Sequence, residues 1–124
     1  MSAPGESSGE ASIDDFARLD IRVGRILDAA PLEGARKPAY RMCIDFGDAL
    51  GVKQSSAQIT EAYPDPAALV GRLVLAVVNF PPRRVAGYRS ECLTLGVYAA
   101  GGAGPVVLIA PDAHEGVRPG DRLG

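Results

Sequence analysis

The sequence predicts an all-β domain built as a small five-stranded barrel, and three observations carry that prediction. Glycine and proline number 15 and 10 in 124 residues, so the chain must turn often, as all-β domains do. Residues 40–46 alternate apolar and polar, the period of a strand buried on one face. The helical patterns are short, and one falls between the third and fourth strand patterns. A chain of 12.9 kDa has room for one domain. With no Trp and 6% aromatics, small and β-branched side chains must fill most of its core.

Residues 1–11 hold acids, Ser, Gly and Pro, with neither a basic nor an apolar block, and read as a disordered tail rather than a signal peptide. The ordered domain is expected over residues 12–124. Ser12, with Asp15 three residues on, forms an acidic capping box. Ile13, Phe16 and Leu19 then share one face of a two-turn helix. Residues 21–30 are the first strand. Gly24 and the adjacent Ile26-Leu27 pair break its phase, which predicts a bulge that bends the strand around a barrel. Residues 31–38 form a loop fenced by prolines.

The second strand covers residues 40–46, with Tyr40, Met42, Ile44 and Phe46 on the inner face, and residues 47–51 turn the chain back. The third strand, residues 53–59, breaks the pattern. Val52 begins one face, yet Gln54, Ser56 and Gln58 continue it. A strand that violates the binary pattern is either a functional surface or an edge strand with both faces wet.

Asp65-Pro66 starts a short helix, with Asp as N-cap and Pro at the first helical position. Leu69 and Val70 face inward and Gly71 ends it. Residues 72–78 are a nearly continuous aliphatic run, the pattern of a central strand covered on both sides. That run is far too short to span a bilayer, so no membrane insertion is expected. Residues 79–89 are a long connection and residues 90–98 a strand. Residues 100–105 are a Gly-rich turn, residues 106–110 a short strand, residues 111–116 another turn, and residues 118–123 extended. Three strands, a short helix and then further strands match the Greek-key barrel of the OB type, with extra C-terminal strands.

Composition and motifs argue against catalysis. The single histidine, His114, sits in a Pro-Asp-Ala-His-Glu-Gly turn with no nucleophile beside it. Ser90-Glu91 lacks the Gly-x-Ser-x-Gly elbow. Residues 101–104 lead into Pro105 and a strand, so they are no phosphate loop. Cys43 and Cys92 lie far apart without CxxC or Cys/His spacing, which excludes a zinc motif. They read as two half-buried thiols in a reducing cytosol. No cofactor is expected.

Thirteen Lys and Arg against fifteen Asp and Glu give a net charge of −2, which argues against a general polyanion binder. A local basic site remains open, and three basic groups stand out. Arg36 and Lys37 lie in the first loop with Arg41 just beyond, and Lys53 opens the polar third strand. Arg83, Arg84 and Arg89 lie in residues 79–90, which contain no acid. In an OB barrel the loop after strand one, the face of strands two and three, and the loop after strand four meet on one side. Guanidinium groups there pair with phosphate or stack on bases, with Tyr40 or Tyr88 as an aromatic platform.

Several blocks of this sequence resemble the bacterial CsaA proteins of the tRNA-binding OB-fold domain family. They are Asp14-Asp15-Phe16 with residues 19–24, residues 44–47, the Lys-Gln-Ser-Ser-Ala-Gln-Ile-Thr block at residues 53–60, and the Asn-Phe-Pro-Pro-Arg-Arg block opening residues 79–91. The resemblance covers residues 13–124. It implies a cytoplasmic homodimer acting as a chaperone that helps unfolded preproteins reach the Sec export machinery, together with tRNA binding. By position it implies a ligand surface of Lys53, Gln54, Ser55, Ser56, Asn79, Arg83, Arg84, Gly87, Ser90 and Glu91. With Arg36, Lys37, Tyr88 and Arg89 from the basic-group argument, these are the candidate site residues. Two readings follow. One is a module that recognises tRNA by shape and backbone. The other is a peptide-binding chaperone using grooves near the dimer seam, where the polar third strand offers amides and hydroxyls to an extended backbone and Phe80, Pro81 and Pro82 an apolar wall.

Overall fold

A computed structural model describes residues 9–124. Residues 1–8 of the expected tail lie outside the described residues, and residues 9–12 are exposed without regular structure. The capping box forms as the sequence predicts. The Asp15 N–H donates to Ser12 Oγ at 3.2 Å, and the Ser12 N–H donates to the Asp15 carboxylate at 2.9 Å. It starts a short helix, α1 (Ile13–Ala17), in which no residue is buried. Ile13 is 79% exposed.

Among the described residues nine strands follow: β1 (Ile21–Pro31), β2 (Tyr40–Asp45), β3 (Val52–Ala57), β4 (Leu73–Val77), β5 (Arg83–Val85), β6 (Tyr88–Ser90), β7 (Leu93–Thr94), β8 (Gly96–Tyr98) and β9 (Val106–Leu108). Five of them make one antiparallel sheet in the order β3-β2-β1-β4-β7. Its two edges approach each other across a seam, giving a nearly closed five-stranded barrel. The Glu91 N–H donates to the Gln54 carbonyl at 2.8 Å, and the Gln54 N–H donates to Glu91 Oε1 at 2.9 Å. The Ser56 N–H donates to Ser90 Oγ at 3.2 Å. Side chains thus do much of the work that a backbone ladder does elsewhere in the sheet. The fold is the all-β OB barrel that the element order predicts.

Inside sit Tyr40, Met42, Ile44 and Phe46, the alternating set read from the sequence, with Ile26, Ile59, Leu69 and Val74. The 3₁₀ turn Pro66–Leu69 is capped by Asp65, whose carboxylate accepts from the Ala67 N–H at 3.1 Å, and it plugs the barrel with Leu69. Residues 120–123 run beside β1, with the Leu123 N–H donating to the Ile21 carbonyl at 2.9 Å. Among the described residues no helix is long and apolar enough to cross a membrane.

Several expectations are corrected. The bulge in β1 lies at Leu27, where the register to β2 shifts between Ile26 and Asp28, while Gly24 pairs regularly with Val74. Gly24 is there for clearance, because a Cβ would strike Ile44 Cγ2 and lie 2.7 Å from Phe46 Cε1. Val70 does not face inward and is 50% exposed, since the helix ends after Leu69 and the chain is already extended there. The connection 79–89 is not a plain loop, for it holds most of the β5–β6 hairpin. The strand expected over residues 90–98 is broken into β7 and β8, which pair with different partners, β4 and β9. β3 is not wet on both faces. Its parity is set by β2, where Met42 faces Ser55, so Ser55 points into the barrel and is fully buried while Val52 is 56% exposed.

Candidate ligand-binding cleft

A cleft of about 860 Å³ opens where the barrel seam diverges. The loop between β1 and β2 supplies Arg36 and Lys37 to its rim, and β5 supplies Arg83. The end of β3 and the residue beyond it contribute Ser56, Ala57 and Gln58. Ala39, Phe80, Pro81, Val85, Cys92 and Leu93 make an apolar floor and wall. The β5–β6 hairpin, which brings Arg83, Val85 and Ala86 to the cleft, turns tightly because Ala86 and Gly87 both take positive φ, 51° and 80°, the turn that suits a two-residue hairpin. Its tip comes close to the first loop, where a Cβ on Gly34 would meet that of Ala86 at 3.9 Å. Among the described residues, the one carboxylate lining the cleft is Glu91, which accepts from the Gln54 N–H and lies 3.6 Å from Arg89.

The expected site residues divide. Arg36, Lys37, Ser56, Arg83, Ser90 and Glu91 meet in this cleft. Gly87 and Tyr88 lie instead with Arg41 in a second cleft of about 570 Å³, on the other side of the hairpin tip. The Tyr88 hydroxyl donates to the Met42 carbonyl at 3.1 Å, and burial, with Cys43 beside it, pushes its pKa up to about 12. Arg84 folds back on its own hairpin, donating to the Gly87 carbonyl at 3.0 Å. Arg89 lies against Glu91, and Lys53 and Gln54 sit further along β3 from the cleft.

Two of the expected residues have partners within the fold. Ser55 Oγ is 2.8 Å from Thr94 Oγ1 and donates to the Cys92 carbonyl, bridging the seam from inside. Asn79 ties α1 to the barrel: its Oδ1 accepts from the Asp20 N–H at 2.9 Å, and its Nδ2 donates to the Arg18 carbonyl at 2.7 Å. Ser90 is buried as well, with its hydroxyl engaged by Ser56 and the Cys92 carbonyl. Tyr40 is not an available platform, being buried with its hydroxyl donated to the Tyr63 carbonyl.

Gln58 and Leu93 were not singled out from the sequence as site residues. Gln58 continues the polar phase of Gln54 and Ser56, a signal that was present, whereas a lone Leu at position 93 carries none. Cys43 and Cys92 are both free thiols. Burial pushes the Cys92 pKa up to about 11, against a weaker opposing hydrogen bond from Ser55, so this thiol is a poor nucleophile. Among the described residues no group of three or more His, Cys, Asp or Glu could hold a metal ion.

Comparison with known proteins agrees with this architecture. Residues 21–121 match the family model described as "Putative tRNA binding domain". The methionine–tRNA ligase of Neisseria meningitidis serogroup A is 40% identical over 116 residues, which is 93% of this chain and 16% of that enzyme. The chain therefore spans about a sixth of the length of the curated relatives it matches. Among solved structures, the chaperone CsaA of Bacillus anthracis strain Ames is 47% identical, with a TM-score of 0.83 over 93% of this chain and 99% of its own. The CsaA chaperone protein of Picrophilus torridus is 41% identical, also at 0.83, over 93% of this chain and all of its own. On this family match, and on a fold shared along nearly the full length of two CsaA proteins, the chain belongs to the tRNA-binding domain family and is of the CsaA type.

Proposed function

We propose that this chain is a non-enzymatic binding protein, a CsaA-like chaperone that holds unfolded preproteins for export and also binds tRNA. The observation that carries the proposal is the cleft, where Arg36, Lys37 and Arg83 stand at the rim of an apolar floor. Cations at a rim suit phosphate or carboxylate, and an apolar floor suits the side chains that a folded protein would hide. The nearly full-length likeness to two chaperones named CsaA supports the preprotein role, and the family match supports tRNA. A purely tRNA-binding module is the second reading, favoured by the same family match. Capture from lysate with and without ribonuclease separates the two. Preprotein retained after ribonuclease is the expected result, and preprotein lost with the RNA would leave the tRNA module alone.

The same proposal includes a cytoplasmic homodimer that works with the Sec machinery. The bare face of α1, with Ile13 and Phe16, and the exposed Val97 and Tyr98 offer apolar surface for a second copy. Sedimentation at micromolar concentration should give about twice 12.9 kDa, and a species at 12.9 kDa would remove the dimer from the proposal.

A further inference from the structure

We infer that the cleft takes an acidic, extended peptide as an added β-strand, paired to the open edge at the end of β3, at Ser56 and at Gln58 just beyond the strand. The inference rests on the preprotein reading above and specifies how that ligand is held.

The seam supplies the geometry. Alternate residues of a strand present their N–H and C=O groups to the same edge. Gln54 and Ser56 present theirs to the seam, where Glu91 and Ser90 engage the Gln54 N–H and C=O and the Ser56 N–H. Beyond that point the edges part. Among the described residues the Ser56 carbonyl has no partner on the seam side, and Gln58, two residues on and just beyond β3, has none for its N–H or C=O. Both residues line the cleft. Three main-chain groups, two acceptors and one donor, thus stand unpaired along about 6.6 Å of edge, two residues of strand rise. This is the template that strand addition uses.

The occupant's chemistry follows from the walls. An added strand points its side chains alternately to opposite faces. Apolar groups at Phe80, Val85 and Leu93 and cations at Arg36, Lys37 and Arg83 both line the cleft, with Arg83 and Val85 on one face of β5, so an added strand would meet both kinds of lining. Three cations line the cleft against the Glu91 carboxylate, which is itself paired with Arg89 at 3.6 Å, so the lining is net cationic. Alternating aliphatic and acidic side chains satisfy both kinds.

The test is calorimetric titration of the full chain with a capped hexapeptide of alternating Val and Glu, and with versions N-methylated at single positions. Edge pairing uses peptide N–H groups of one parity, donated to the Ser56 and Gln58 carbonyls. Methylation at that parity should weaken binding about tenfold or more, since it removes a donor and leaves a carbonyl unpaired. Methylation at the other parity should change it less than about threefold. In an isotope-labelled sample the Gln58 amide should shift on binding. Peptide binding that is indifferent to parity, or that leaves Gln58 unmoved, overturns the edge pairing while preserving the preprotein reading. No peptide binding, with tRNA still bound, overturns both.

Discussion

Replacing Arg36, Lys37 and Arg83 with Ala, singly and together, tests whether the rim of the cleft meets phosphate. All three line one cleft, from two separate segments of chain. A protein that loses one phosphate contact loses roughly 0.7 to 0.9 from the slope of log K against log salt. The triple variant should therefore flatten the tRNA salt slope by about 2 to 3. Between 50 and 200 mM salt, wild type should lose affinity by about thirtyfold more than the triple variant does. Arg84→Ala and Arg25→Ala are the comparison variants, because Arg84 folds onto the Gly87 carbonyl and Arg25 donates to the Gly71 carbonyl away from the cleft. Each should leave the slope near wild type. Thermal melting should hardly change in any variant, since exposed cations contribute little to stability. The assay is fluorescence titration of labelled tRNA across a salt series. A triple variant with the wild-type slope, or an Arg84→Ala variant as damaging as Arg83→Ala, would refute placing phosphate at this rim.

Three more outcomes are expected. Ser55→Ala should cost about 1 to 2 kcal/mol, because a buried seam hydroxyl and its bond to Thr94 are lost, yet tRNA affinity of the folded protein should stay within about twofold of wild type; calorimetry and titration on one sample check both. Gly24→Ala should cost about 1 to 3 kcal/mol by forcing a methyl against Ile44 and Phe46, and denaturant melts that match wild type would show that the wall yields. Stability should fall as pH rises from about 9 to 12. Cys92, ordinarily 9.0 and pushed to about 11, and Tyr88, ordinarily 10.0 and pushed to about 12, hold their protons more tightly folded than unfolded. Their contribution is complete below the unfolded values and is lost as pH passes the folded ones, so Cys92→Ala should flatten the part of the curve between about pH 9 and 11.

The barrel was legible wherever local pattern and tertiary role agree. Tyr40 to Phe46 alternate because β2 has one face on the core, and Ser12 and Asp65 cap because their side chains satisfy backbone groups close by in sequence. Long-range facts were hidden. The β5–β6 hairpin has three-residue strands and an Ala-Gly turn, without the Asn-Gly signal that marks such turns. Ser55 reads as a surface hydroxyl until register with Met42 turns it inward. Nothing local to Asn79 signals that it ties α1 to the barrel. The cleft was half legible. Charge runs gave Arg36, Lys37 and Arg83, whereas the choice of Arg83 over Arg84 depends on which of two neighbours the hairpin turns toward the cleft.

A barrel closed partly by side chains has a weak line along its length. Solvent exchange of the Gln54 and Ser56 amide protons is gated by the Glu91 carboxylate and the Ser90 hydroxyl rather than by a neighbouring strand. Those two amides should therefore exchange sooner than the β1–β2 ladder, through local opening that leaves the rest of the domain intact. Opening there would lengthen the exposed β3 edge from Gln58 back toward Gln54. The protection of two amides would then report how much strand the protein can offer at a given moment, before any ligand arrives.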